Sequence, residues 1–107
     1  MSDKKIYELH ANICKALGNA TRIEVIDALQ NEEMTYGEIH KIIGGPKSSL
    51  AQHLIVLATK GILNQRREGL NVYYRITSVK VTKACQIMRE VLIDNLKKQN
   101  QLLKNIG

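Results

Sequence analysis

Residues 46–76 read PKSSLAQHLIVLATKGILNQRREGLNVYYRI, and the change of period inside this stretch decides the fold. Pro46 to Lys60 reads as a short helix, since Pro46 suits a first helical position, where no backbone amide is needed. Beyond Gly61 the period becomes that of a strand. Ile62–Gln65 and Val72–Ile76 are rich in β-formers and are separated by a polar, glycine-containing tip, the form of a hairpin. The helix start is small and polar, and the tip Arg66–Gly69 is cationic. Lys47, Lys60, Arg66, Arg67 and Arg75 stand against Glu68 alone, a surplus of four within a formal net charge of +6. Charge gathered in this way points to a polyanion, with the hairpin supplying cations and the helix start reaching base edges.

Working outward, Ile6, Leu9, Ile13, Ala16 and Leu17 repeat at helical spacing and Gly18 offers a stop, which predicts a first helix from about Asp3 to Leu17. Asn19 can cap a second, Ala20 to about Gln30, with Ile23, Val25, Ile26 and Leu29 inward. The stretch Gln30–Glu33 then makes a polar turn. Thr35 and Glu38 have the spacing of a capping box, in which the hydroxyl takes the amide three residues on and the carboxylate reaches back. The short third helix that starts there has Ile39, Ile42 and Ile43 as its apolar side and ends at Gly44–Gly45. Two short helices joined by a glycine turn make a helix-turn-helix. After the hairpin, Thr77–Ser78 can cap a last helix in which Val81, Cys85, Met88 and Leu92 recur at spacings of four and three, continuing less regularly through Leu96, Leu103 and Ile106. Such a stripe needs a partner, and docking against the first helix and a second copy is expected, because each buried Leu or Ile is worth roughly 1.5–3 kcal/mol.

The 107 residues suffice for one domain with one core, taken as residues 1–107. With four Tyr and neither Phe nor Trp, that core must be aliphatic. No stretch approaches the roughly 18 apolar residues that span a bilayer, and the N-terminus leads into an amphipathic helix instead of a signal-peptide core, so a cytoplasmic protein without membrane association is expected. There is no glycine-rich phosphate loop after a strand, no credible Ser-His-acid spacing and no carboxylate pair in a plausible cleft, which argues against an enzyme and calls for no cofactor.

The order helix, helix, helix-turn-helix, hairpin, helix resembles the ArsR family of winged-helix repressors. Residues 17–22 (LGNATR), Ala51–Leu54 with Leu57, Gly61–Leu63, Arg66–Gly69 and Val72–Arg75 carry the resemblance, which covers nearly the whole chain. Where this chain has Ala51 the family usually has Ser, and near Ala58 or Thr59 it usually has a basic residue. The resemblance implies a mainly α, α+β fold. This is a winged helix-turn-helix of five helices with a two-stranded β-hairpin wing and a helical dimer interface. Residues 1–17 and 78–107 form the dimerisation helices, 35–60 the helix-turn-helix and 61–76 the wing. It also implies a symmetric dimer that occludes a promoter and releases it on binding an inducer.

The residues fit such a mechanism. Two recognition helices on a two-fold axis would enter successive major grooves roughly 34 Å apart on a near-palindromic site of double-stranded DNA. Lys47 suits a phosphate, Ser48 and Ser49 can serve bases or phosphates, and Gln52 can pair bidentately with adenine. His53 either reads a base or bonds within the domain. Arg66, Arg67 and Asn71 would grip the backbone or an adjacent minor groove, and Arg22 either stabilises the second helix or adds a backbone contact. Ile6, Ile13, Leu17, Val81, Met88 and Leu92 are the expected dimer contacts. The positions where relatives carry metal ligands hold Met34–His40 without a cysteine, and Ser78, Lys80, Val91 and Asp94, so neither familiar metal site is expected. His10, Cys14 and Cys85 remain as a possible sensor of an unknown small inducer. The two thiols are either plain core residues, or respond to oxidants or sulfur species, or, less favoured, hold a metal ion. A protein-interaction module built on the same fold is the alternative function. RNA binding would call for exposed aromatic stacking residues, whereas one of Tyr73 and Tyr74 should be core.

Overall fold

The helix punctuation of the sequence is realised closely in a computed structural model, which describes residues 3–106. Met1, Ser2 and Gly107, the ends of the expected domain, lie outside the described residues, as does the side chain of Ile106. The elements in chain order are α1 (Asp3–Leu17), α2 (Ala20–Leu29), β1 (Met34–Thr35), α3 (Tyr36–Ile43), α4 (Lys47–Thr59), β2 (Leu63–Glu68), β3 (Asn71–Ile76) and α5 (Val79–Ile106). Asn19 caps α2 by accepting the Arg22 amide at 3.2 Å. Thr35 and Glu38 close the expected capping box, with the Glu38 amide on the Thr35 hydroxyl at 3.2 Å and the Thr35 amide on the Glu38 carboxylate at 3.1 Å. Ser78 accepts the Lys80 amide at 3.2 Å and opens α5.

Several details differ from the sequence expectation. Pro46 is the N-cap of α4 and not its first helical residue: it keeps an extended ψ of 132° while its carbonyl accepts the Leu50 amide at 3.2 Å. Ile42 points outward at 58 % exposure, because the short α3 buries only Ile39. The wing also gains a strand. Met34 and Thr35 pair antiparallel with Tyr74 and Tyr73, giving a three-stranded sheet in the order β1-β3-β2.

The hairpin itself is longer than its β-former runs. Leu63 pairs with Ile76 and the ladder continues to Glu68 opposite Asn71, leaving a two-residue loop, Gly69–Leu70. Gly69 has φ 62°, the positive value that the first position of a tight II′ hairpin turn requires. Arg66 and Arg67 therefore lie in β2 and not at the tip, and the tip is Leu70, 100 % exposed.

The core lies between α2, α3, α4 and the base of the hairpin. Val25, Ile26, Leu29, Ile39, Leu50, Leu54 and Leu57 are fully buried, and Ile62, Leu63 and Ile76 close it from the strands. Ile23, expected inward on α2, is 38 % exposed and faces the cleft beside Thr82 and Cys85 of α5. Tyr74 packs against the core, as one of the tyrosine pair must, since β3 presents successive side chains to opposite faces. No described helix is long and apolar enough to cross a membrane.

Candidate nucleic-acid interface

The turn between α3 and α4 is fixed from both sides. Gly44 and Gly45 both adopt positive φ, 74° and 75°, a conformation that side chains disfavour. Across them, the Tyr36 hydroxyl donates to the Lys47 carbonyl at 2.6 Å, and His40 Nε2 meets the Gly45 carbonyl at 2.9 Å. These bonds hold the start of α4 against α3, so the polar end of α4 has a defined direction.

On α4, Leu50, Leu54 and Leu57 face the core. The opposite face follows from helical spacing: Ser48, Gln52, Ile55 and Thr59 recur at four, three and four residues and are all exposed. Lys47 and Ser49 flank it, also exposed. Ile55 and Thr59 were absent from the sequence-predicted set. Their signal was there, since both continue the row begun by Ser48 and Gln52, and an apolar Ile55, 51 % exposed on a polar face, can contact a thymine methyl. His53 turns away from this row. Its Nδ1 accepts from Arg22 Nε at 3.1 Å, while Arg22 Nη1 donates to the Ala16 carbonyl at 3.2 Å, so the pair ties α4 to α2 and to the end of α1.

In the wing, alternation separates the two adjacent arginines. Arg67 is exposed opposite Val72, on the face shared with Gln65 and Tyr74, and among the described residues it has no carboxylate partner. Arg66 lies on the other face opposite Tyr73, with each of its three guanidinium nitrogens bonded to a carboxylate. Its Nη2 and Nε donate to the two Glu33 oxygens at 2.6 and 3.2 Å, its Nη1 to Glu68 at 2.7 Å, and its guanidinium stacks over the Tyr73 ring at 4.5 Å. The hydrogen bond from Arg66 holds the Glu33 carboxyl below the ordinary glutamate value. Arg75 Nη2 donates to the Asn31 carbonyl at 3.3 Å. Asn71 is exposed beside the tip. Glu33, in sequence only part of a polar turn, is thus a structural partner of the wing.

The expected dimer contacts divide. Ile6, Ile13, Met88 and Leu92 are exposed at 43–66 %, whereas Leu17 and Val81 pack against the core of their own protomer. Of the sensor candidates, His10 and Cys14 are exposed on α1, and Cys85 is half-buried against α2, where burial pushes its thiol pKa up against the pull of Arg89. Among the described residues, no cluster of three or more His, Cys, Asp or Glu side chains suited to a metal ion is assembled.

Residues 17–66 match a family described as a helix-turn-helix domain. The chain is 30 % identical over 88 residues, 82 % of its length and 72 % of the relative's, to the nodulation protein NolR of Rhizobium meliloti. It is 30 % identical over 67 residues, 63 % of its length and 74 % of the relative's, to the transcriptional repressor SdpR of Bacillus subtilis. Among solved structures it superposes, with a TM-score of 0.79 and 28 % identity over 92 % of this chain and 93 % of the other, on a homodimeric winged helix-turn-helix DNA-binding domain from Mycobacterium bovis, described as a possible ArsR-family transcriptional regulator.

Proposed function

Because the chain belongs to the ArsR family of winged helix-turn-helix transcriptional regulators, which are not enzymes, we propose that it is a homodimeric repressor that binds a near-palindromic site on double-stranded DNA. The observation that carries this reading is the exposed row Ser48, Gln52, Ile55 and Thr59, directly opposite the buried leucines of α4 and flanked by Lys47. A recognition helix needs that division of faces: one side anchored in the domain, the other small and polar enough to enter a major groove. Lys47, Ser48 and Ser49 serve the phosphates and the edge of the groove, Gln52 and Ile55 the bases, and Arg67 and Asn71 of the wing the adjacent backbone.

The exposed apolar faces of α1 and α5, with Ile6, Ile13, Met88 and Leu92, support pairing of two copies, since patches of this kind on a small domain mark interaction surfaces. Pairing would set two α4 helices roughly 34 Å apart on successive major grooves. An inducer acting through thiol chemistry would meet Cys14 first, because Cys85 is half-buried and its neutral form is favoured.

Selection of duplexes from a random library, followed by titration from 50 to 300 mM salt, tests the reading. Enriched sites with two-fold symmetry and an affinity falling steeply with salt are expected. Salt-independent or undetectable duplex binding would return the domain to the protein-interaction alternative. Repeating the titration with reduced, oxidised, polysulfide-treated and metal-loaded protein, beside a Cys14→Ser, Cys85→Ser double variant, tests the inducer.

A further inference from the structure

We propose that Glu33 latches the wing through Arg66, so that Arg66 positions the hairpin and the phosphate contact on this strand falls to Arg67. The inference rests on the DNA-binding reading and goes beyond it, by giving two adjacent arginines different tasks. All three guanidinium nitrogens of Arg66 are already engaged, two by Glu33 and one by Glu68, and its flat face lies on Tyr73. Three of its five N–H groups are used, so a phosphate would meet a guanidinium already neutralised by two carboxylates, and taking it over would leave those carboxylates facing the DNA backbone unneutralised. Arg67, one residue on, faces the opposite side of the ribbon without such a partner.

An isolated surface ion pair would position little. Here the contact is bidentate, part of a network, and anchored at a place with mechanical consequence. Glu33 ends the turn that joins α2 to β1, and the carbonyl of Asn31 in the same turn accepts from Arg75 of β3. One turn therefore holds both strands of the hairpin, β2 through Arg66 and β3 through Arg75. The turn is continuous with α2, whose Val25, Ile26 and Leu29 are buried in the core, so the wing is referenced to the body that carries α4. Tyr73 completes the arrangement, pairing with Thr35 of β1 on one side and with Arg66 on the other.

Charge-conserving and charge-removing variants separate positioning from phosphate contact by sign. Glu33→Gln removes a negative charge near the DNA, so a purely electrostatic account predicts tighter binding. The latch predicts weaker binding, by about five- to tenfold, with the slope of affinity against salt unchanged. Arg66→Lys keeps the charge but loses the fork and the stack, and the same weakening with the same slope is expected. The double variant should be no weaker than either single, because one interaction is lost in each. Arg67→Ala, in contrast, should lower the slope by about 0.9, one phosphate contact. Amide exchange across residues 63–76 in the DNA-free protein should quicken in Glu33→Gln and Arg66→Lys. Tighter binding by Glu33→Gln, or unchanged affinity with Arg66→Lys, overturns the latch. Should the wild type bind no duplex, the DNA reading fails, and exchange alone decides: unchanged wing protection in Glu33→Gln then refutes the latch, and faster exchange upholds it.

Discussion

In the segment from α2 to the base of the hairpin most of the large aliphatic side chains turn inward, with Ile26, Leu29, Ile39, Leu54 and Leu57 at no more than 1 % exposure and Ile23, Ile42 and Ile55 the exceptions. In α1 and α5 the arrangement is reversed. Ala16 is the one buried residue among those described in α1 and Thr82 the one in α5, while Ile13, Ile87, Met88 and Leu92 are open to solvent. Both regions are helical and both carry apolar residues at helical spacing. They differ in whether the protomer itself supplies what those residues pack against. The central segment completes its own core and can therefore hold a polar surface in a fixed shape, whereas the flanking helices leave apolar surface open, the surface to which the proposed pairing assigns a second copy.

The largest effect should come from treating the two regions alike. Leu54→Ala, in the centre of the core, is expected to lower the unfolding free energy by about 2–5 kcal/mol through lost burial and the cavity left behind. Leu92→Glu should leave far-UV circular dichroism unchanged and instead shift sedimentation from dimer to monomer, with loss of tight DNA binding. Urea denaturation and sedimentation velocity on the two variants check this. A dimer that persists in Leu92→Glu, or a Leu54→Ala protein as stable as the wild type, would erase the distinction between the regions.

A smaller effect is expected at the seam of the central segment. Thr35 both caps α3 and pairs with Tyr73 in the sheet, so Thr35→Ala should cost about 1 kcal/mol from the cap, read by thermal or urea unfolding. Amide exchange should quicken first at Glu38, whose amide loses its acceptor. A Thr35→Ala protein of wild-type stability would mean that the strand pairing, and not the cap, sets the start of α3.

The cap illustrates what sequence can carry. Thr35 and Glu38 lie three residues apart, and their reciprocal bonds are decided within one turn, as are the limits of α1 and the glycine turn before α4. β1 is different. Met34 and Thr35 form a strand only because Tyr73 and Tyr74 come alongside, and no local pattern of two residues announces that. Glu33 escaped for the same reason: its partner Arg66 is 33 positions away, and a polar turn gives no sign of which cation it will meet. His53 was legible only as a choice between two roles, and its bond to Arg22 across 31 positions shows the one bonded within the domain. The exposed row on α4 is half legible in the sequence, since Ser48 and Gln52 are polar at the helix start while Ile55, on the same spacing, is not.

The smallest expected effect concerns the two thiols, one on each flanking helix. Cys14 is exposed on α1, and Cys85 sits half-buried where α5 meets α2. Burial raises the Cys85 pKa, with Arg89 partly opposing it. The folded protein therefore keeps this proton at a pH where the unfolded chain has lost it. Stability is full below the ordinary thiol value and declines as pH rises through that value toward the folded one. Tm should fall more in the wild type than in Cys85→Ser on going from pH 8 to pH 10. Alkylation at neutral pH should reach Cys14 before Cys85, measured by mass spectrometry of the timed reaction. The order matters to the contrast between the regions, because Cys85 is the point at which α5 still belongs to the protomer's own packing. If Cys85 reacted as fast as Cys14, α5 would be free of the core from its second turn onward, and the boundary between the self-packed segment and the exposed helix would have to move back toward Ser78.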